Sequence, residues 1–480
     1  MESNLGLPGN PRYQPKQMVD VFGYDNLVKA VAEVEIATLL TLFDMGIIPT
    51  HLRGVLNENR DRLLAITTTQ VDEQEKITKH DIRAWVQLAQ QILGPELGKW
   101  LHIPLTSYDV IDTARALQYK QAYRDALCPS LNELISGLAD KAEELAEVLQ
   151  VGRTHGQHAL PITAGFWLAT VLHRIVYNRQ EMHRQALAIR GKISGAVGVH
   201  NAQVALGLDR IQGFQSFEVE VLKRLNLKPA LISTQIAPPE PLAYFLHSCL
   251  LQSSVLAQLG RDCRHLMRSE INELSEPFSE NQVGSSTMAH KRNPITFENM
   301  EGTAIRSRGE YSKILETLVS EHQRDLVGSS VARDFPIILI NLQHQLNSLL
   351  RKNEEGLTFL ERIKVDRAAC YDNFTISSDV ILAEPLYVAL QMAGYEGDAH
   401  HLVNHTLVPG ALRSKMPLGS YTEGLTNYSA TDPKLKEAWD NIPEGMKMML
   451  DFPRDYIGSA VDTTMKIVHL ARADVKQHSF

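Results

Sequence analysis

Between Leu127 and Leu149, apolar residues recur at steps of three and four: Leu127, Leu131, Leu134, Leu138, Ala142, Leu145 and Leu149. That spacing is the repeat of an α-helix, and it gathers the apolar side chains along one face. A stripe this long needs long packed helices around it. Helical patterns of similar reach follow over 161–190, 241–274 and 295–322, with a shorter one over 336–351. These exceed the usual mean helix length. Period-two alternation, the mark of strands, is almost absent. The expected fold is therefore all-α, a long central helical bundle flanked by two smaller helical domains. Inside the stripe, Pro129 should kink or restart the helix. Gly152 should break it, and Pro161 should open the next one.

The expected domains are 1–108, 109–352 and 353–480. Residues 1–10 read as a loose arm, followed by a helix over 17–45 and another over 81–93 that stops at Gly94-Pro95. The polar run TTTQVDEQEKITKH at 67–80 reads as the solvated end of a hairpin, and GKISGAVGVHNAQ at 191–203 as a flexible excursion. A turn at Val327-Gly328 precedes the 336–351 helix. Past Asn353 the helices shorten and Pro and Gly return, as at Glu384-Pro385, Pro409-Gly410 and Pro443. Long helices expose much apolar surface for their volume, so association with copies of the same chain is expected.

Charge and motif content narrow the function. Lys and Arg total 48 against 56 Asp and Glu, a net charge of -8 with no basic tract, which argues against nucleic acid as a partner. The four cysteines, Cys128, Cys249, Cys263 and Cys370, are widely spaced and form no metal-ligand pattern. Leu242–Leu259 is the most apolar stretch, but His247, Gln252 and Gln258 interrupt it, so it reads as a buried helix rather than a membrane span. The opening MESNLGLPGN has no apolar segment of the secretory kind, and a cytoplasmic location is expected. His-Glu-x-x-His, paired-Cys, Gly-rich nucleotide and Gly-x-Ser-x-Gly motifs are all missing. What remains is acid–base chemistry with no metal and no cofactor.

Five clusters could carry it. Residues 280–302 begin as a small-residue loop, where Gly284, Ser285 and Ser286 can offer backbone N–H groups to an anion. Lys291, Arg292 and Asn293 add charge and an amide, Pro294 presets a helix, and Glu298 sits in its first turn. Such a set suits a substrate carrying carboxylates, and it equally suits an ordinary capped helix start. Gly152-Arg153-Thr154-His155-Gly156-Gln157 could present His155 to a cleft as an acid or base; alone, it also reads as a surface turn. Lys79-His80-Asp81 opens a helix. His102 precedes Leu105-Thr106-Ser107-Tyr108-Asp109, where Thr106 or Ser107 can cap a helix with an acidic first turn. Arg324, Ser329, Ser330 and Arg333, with Arg12 far upstream, match a phosphate monoester, although each could be a solvated helix end.

GSSTMAHKRNP at 284–294 resembles the signature loop of the fumarase/aspartase/argininosuccinase superfamily. The resemblance covers nearly the whole chain: Arg12-Tyr13, KHD at 79–81, TSYDVIDTA at 106–114, GRTHGQHALP at 152–161, GAVG at 195–198, STQ at 233–235, QRDLVGSSVAR at 323–333 and DFPRDYIGSA at 451–460. It implies a lyase that eliminates fumarate by breaking a C–N bond. Within the superfamily, Arg324, Ser329 and Arg333 with Arg12-Tyr13 point to a nucleotide monophosphate: adenylosuccinate, giving AMP, and the succinylaminoimidazole carboxamide ribotide of purine synthesis. Another succinyl or carboxylated substrate, of argininosuccinate or carboxymuconate type, is the alternative; a non-catalytic helical scaffold ranks last.

The resemblance also implies roles. Ser285 would remove the proton, and His155 would protonate the leaving nitrogen with Glu298 orienting its ring. Lys291 and Asn293 would hold the succinyl carboxylates, helped by Thr106, Ser107, Thr154 and Gln235. His80 and His102 would lie near the phosphate and the cleaved bond. Arg12, Tyr13, Arg324, Ser329 and Arg333 would bind the 5′-phosphate; Asp109 and Ser286 complete the substrate-binding set. The family's sites are assembled from three subunits of a homotetramer. One departure stands out: the family loop usually has Pro after its Met, and here Ala289 occupies that position, which leaves the open loop more freedom.

Overall fold

The computed structural model describes residues 10, 13–278, 288, 291–428 and 432–478. The chain is mostly helical, as the periodicity requires. In order come α1 (Lys16–Phe22), α2 (Asn26–Asp44), α3 (Arg53–Leu64), α4 (Thr68–Thr78), α5 (Asp81–Gly98), α6 (Ser107–Ala122) and α7 (Cys128–Glu144). A hairpin of β1 (Leu149–Thr154) and β2 (Gln157–Thr163) leads to α8 (Ala164–Ala188), α9 (Asn201–Ala205), α10 (Phe217–Arg224) and α11 (Glu240–Leu266). β3 (Leu274–Ser275), α12 (Ile295–Glu316), α13 (Val327–Val331), α14 (Ile337–Leu350), β4 (Lys364–Val365) and α15 (Arg367–Thr375) follow, before a run of short helices and a longer closing one over Ala460–Gln477.

The chain divides into two compact units. The first holds residues 1–133, 177–257 and 299–350; the second holds 134–176, 258–298 and 351–480. In the first unit, Phe22 and Tyr119 pack at 5.3 Å and Tyr123 meets Phe245 edge-on at 6.1 Å. Among the described residues, α11 alone is long and apolar enough by composition to cross a membrane, and 61% of its apolar window is buried. Its polar residues are buried too: Ser253 donates to Gln345 Oε1 at 2.7 Å, and Gln345 donates onward to the Met300 carbonyl at 2.8 Å. α11 is thus a core helix, as its interrupted composition indicated.

Pro129 acts where it was expected to. It lacks the N–H that would reach the Asp125 carbonyl, and the turn before it widens into a π-helix over Tyr123–Leu127, closed by Cys128 N–H on the Tyr123 carbonyl. The same device recurs in the second unit, where a π-helix at Val403–Leu407 joins Ala399–Leu402 to Val408–Ser414 just ahead of Pro409. Gly94, at φ +72, ends the regular part of α5 as the Gly-Pro pair predicts. The C-terminal helices close around Leu386, Leu390, Val403, Leu407, Leu418 and Trp439. Each fully buried Leu there contributes about 2 kcal/mol of apolar burial.

Several local expectations are corrected. Most of the polar run at 67–80, read as the solvated end of a hairpin, is helical: Thr68–Thr78 form α4, started by a reciprocal capping box between Thr67 and Gln70 and largely exposed. The 17–45 helix is interrupted at Gly23-Tyr24-Asp25. Pro161 opens no helix. It lies in β2, paired with Val151, and Gly152 sits in an irregularity of β1 where a Cβ would meet the Leu160 carbonyl oxygen at 2.7 Å. The 327–328 turn is the short helix α13. The helix expected over 241–274 ends at Leu266.

Segment 191–203 is tied down rather than an excursion. Asp109 is fully buried with Lys192 as its ion-pair partner at 2.5 Å, and its Oδ1 also accepts the N–H groups of Ser194 and Gly195 at 3.0 and 3.1 Å. Gly198 has φ +79 and packs so closely on Ser233 that a Cβ would collide with that carbonyl. Ser194 Oγ and Ser233 Oγ share a 2.6 Å hydrogen bond.

Candidate active site

In the first unit, α4, α5, α6 and α13 enclose a cleft of about 780 Å3, lined among others by Lys79, His80, Thr106, Ser107, Tyr108, Gln235, Arg324, Ser329 and Arg333. Each arrives by a local rule. Lys79 ends α4 in a left-handed conformation, φ +53. His80 is the N-cap of α5 in extended conformation, its Nδ1 accepting the Arg83 N–H at 3.4 Å. Its other ring nitrogen lies 3.4 Å from Ser107 Oγ. Thr106 is the N-cap of α6, and its N–H donates to Asp109 Oδ2 at 2.8 Å. Asp109 thus faces inward and braces the cleft wall.

Arg324 organises the far side. It donates from Nη1 to Gln235 Oε1 at 2.9 Å, from Nη2 to Ser329 Oγ at 2.9 Å and from Nε to the Asp325 carbonyl at 3.1 Å. Its guanidinium lies over the Tyr108 ring, 3.2 Å from the centroid. Tyr108 Oη and Ser329 Oγ share a 2.8 Å hydrogen bond. Arg333 is exposed, and among the described residues its guanidinium has no ion-pair partner. Gln235 reaches Arg324 because Asp109 fixes 194–195, 194–198 packs on Ser233, and Asp112 accepts the Ala237 N–H at 2.9 Å. Burial pushes the Asp112 carboxyl above its ordinary range, against the pull of Arg115.

His102, also in this unit, has φ +62 and is held by Glu35. Its Nδ1 lies 2.7 Å from Glu35 Oε1, and its backbone N–H donates to Oε2 at 3.1 Å. Burial works against the imidazolium, but the hydrogen bond and charge of Glu35 outweigh it, so the pKa is raised. Tyr13 packs edge-on against His344 at 5.2 Å. Arg12, Ser285, Ser286 and Ala289 lie outside the described residues.

The second unit holds two further groups. His155 and Gly156 are the two residues between the paired positions Thr154 and Gln157, with φ +54 and +76. Positive φ at both central positions is what a two-residue type I′ hairpin needs. The imidazole is therefore displayed on a hairpin tip, exposed with Thr154 beside it, rather than in a turn between helices. The hairpin is clamped at its base by buried Glu273, which accepts from Arg153, Gln150 and Asn373. Beside it, His158 is lowered in pKa by burial and by Arg153.

A second cleft, of about 620 Å3, is lined by Arg261, Arg264, Arg268, Lys291, Arg292, Asn293 and Glu298. Glu298 lies 3.8 Å from Arg264; among the described residues no contact joins it to His155 within one chain. The start of α12 is fixed by buried Glu276, which accepts the Phe297 N–H at 3.1 Å and whose pKa burial raises. Five cations against one carboxylate make this cleft a match for a polyanionic ligand.

A protein family described as lyase matches residues 25–309. The chain is 33% identical to the adenylosuccinate lyase of Pyrococcus abyssi over 96% of its own length and 97% of the relative's. The chain belongs to this lyase family. It is also 36% identical to the adenylosuccinate lyase of Bacillus subtilis, over 74% of this chain and 79% of that one. Among solved structures, a fumarate lyase from Mesorhizobium sp. BNC1 matches at TM-score 0.78 and 22% identity, covering 96% of this chain and all of that one. The 3-carboxy-cis,cis-muconate lactonizing enzyme of Pseudomonas putida matches at the same score and identity, over 96% and 98%. At that identity the two structures establish the family's helical fold. The sequence placed Lys79 and Tyr108 inside candidate clusters but gave neither a role of its own, and both line the cleft.

Proposed function

We propose that the chain eliminates fumarate from adenylosuccinate to give AMP, and from the succinylaminoimidazole carboxamide ribotide of purine synthesis, without metal or cofactor. The observation that carries this reading is the donor set of the first cleft: Arg324, Ser329 and Arg333 beside Gln235, in a chain similar to adenylosuccinate lyases over nearly its full length. Guanidiniums with a hydroxyl suit a phosphate monoester. Lys291 and Asn293 hold the succinyl carboxylates in the cation-rich cleft.

Ser285 takes the proton beside the carboxylate, and loop N–H groups with nearby cations make its hydroxyl a competent base. The doubly charged intermediate is stabilised by donors already in place, each contributing about 3–4 kcal/mol. His155 protonates the departing nitrogen. Glu298 serves the His155 of another subunit, a reading supported by the lack of a contact between the two among the described residues of one chain. The working form is a homotetramer with shared sites, its long-helix faces covered by copies of the same chain, and it acts in the cytoplasm. Residues 1–108, 109–352 and 353–480 serve as its three parts.

An ultraviolet assay for AMP and fumarate released from adenylosuccinate tests the reaction. Turnover of argininosuccinate or a carboxymuconate, with none of the nucleotide, would replace it with another reaction of the superfamily.

A further inference from the structure

Tyr108 occupies an unusual place in the first cleft. Its ring carries the Arg324 guanidinium at 3.2 Å, and its hydroxyl reaches Ser329 Oγ at 2.8 Å. One side chain therefore touches two members of the phosphate-matching set. Arg324 can only donate, so in its 2.9 Å bond to Ser329 the serine oxygen must accept. Two arrangements of the Tyr108 bond remain. If Ser329 donates to Tyr108, its proton is spent inside the protein. If Tyr108 donates, both serine lone pairs are filled, and the serine proton is left for a ligand.

We infer that Tyr108 is a positioning residue: it donates to Ser329 when an anion is bound, turning the Ser329 hydroxyl outward as a donor, while its ring fixes the plane of the Arg324 guanidinium. Three of that guanidinium's five N–H groups are engaged by Gln235, Ser329 and Asp325. The remaining two, with the Ser329 proton and the Arg333 side chain, give the Arg324 side of the cleft a lining of donors, while Asp72, Glu75 and Asp81 supply carboxylates elsewhere in its wall. A ligand group made only of acceptors, a phosphate monoester, is what such a lining selects. This inference rests on the nucleotide reading above and names the residue that sets its phosphate preference. Neither backbone strain nor core packing is needed for it, since Tyr108 is only partly buried.

The test compares Tyr108→Phe and Tyr108→Ala with the parent enzyme, using AMP binding by calorimetry and steady-state turnover of adenylosuccinate. Phe keeps the stack and loses the donor, so its Kd for AMP should rise about three- to tenfold, the loss sitting in KM rather than kcat. Ala loses both, and should weaken AMP on the order of 30-fold, with Phe restoring most of the difference. Unchanged AMP affinity in Tyr108→Phe overturns the inference, and so does a fall in kcat that matches the rise in KM. Should Tyr108→Ala fail to fold, the Phe variant still decides. A parent enzyme that binds AMP yet releases no fumarate would sink the proposed reaction instead, leaving the Kd comparison to judge Tyr108.

Discussion

Arg153 closes both terminal nitrogens of its guanidinium on the carboxylate of Glu273, at 2.6 and 3.1 Å, and Glu273 is fully buried. Gln150 and Asn373 add bonds of 2.7 and 2.9 Å to the same carboxylate. A buried carboxylate is tolerated only when so fully paired. His155 stands two residues beyond Arg153, so this clamp fixes the stem on which the imidazole is carried. Glu273→Gln should keep the shape and lose the charge, leaving Arg153 unpaired at 10% exposure. The expected loss is about 3–5 kcal/mol in urea unfolding. A loss near zero would mean that the clamp is incidental.

His155→Gln should lower turnover about 10²–10⁴-fold while adenylosuccinate still binds, as expected for removal of a general acid. Ser285→Ala should act in the same sense. Near-normal rates in either variant would contradict the proposed roles.

Arg333→Ala should weaken AMP binding about tenfold or more, since a charge-assisted bond to phosphate is lost. Its effect on unfolding should be small, because the side chain is exposed and unpaired among the described residues. An unaltered Kd would remove it from the phosphate set.

Because Glu35 raises the pKa of His102, the folded state binds that proton more tightly than the unfolded chain does. The stability this contributes is complete below the ordinary histidine pKa and is lost as pH rises through the raised folded value. Unfolding midpoints of the parent and His102→Gln should therefore differ most at pH 5.5 and converge toward pH 8.5. A gap that widens with pH would refute the pairing.

Lys192→Met should destabilise by about 3–5 kcal/mol, because Asp109 would remain buried without its cation. Adding Asp109→Asn should recover part of that loss. Additive losses in the two variants, read from urea midpoints, would show that the pair is not coupled.

The helical frame was legible because its signals are local and periodic. The stripe from Leu127, the restart at Pro129, the stop at Gly94-Pro95 and the cap at Thr106 each depend on a few neighbours. The hairpin at 149–163 was not, since Gly152 and Pro161 break its alternation and read as helix punctuation. Its turn is visible only once Thr154 and Gln157 are known to pair. The 191–203 segment looked loose because its anchor, Asp109, lies more than eighty residues upstream. Tyr108 went without a role for the same reason: nothing within its motif reveals that Arg324 and Ser329 fold onto it. Long-range partners, rather than residue types, were what the one-dimensional reading lacked.

The widened turn before Pro409 has a further consequence. Ala399, Val403, Leu407 and Ala411 follow one another at intervals of four, and all are fully buried. In an ordinary helix three such steps would carry a side chain about 120° around the axis. The extra residue in the π-turn absorbs that drift, so all four stay on the inner side of the C-terminal core. Removing a single residue from 403–407 would tighten the spiral and swing Ala399 and everything before it toward water, a deletion far more damaging than any point change at the same place.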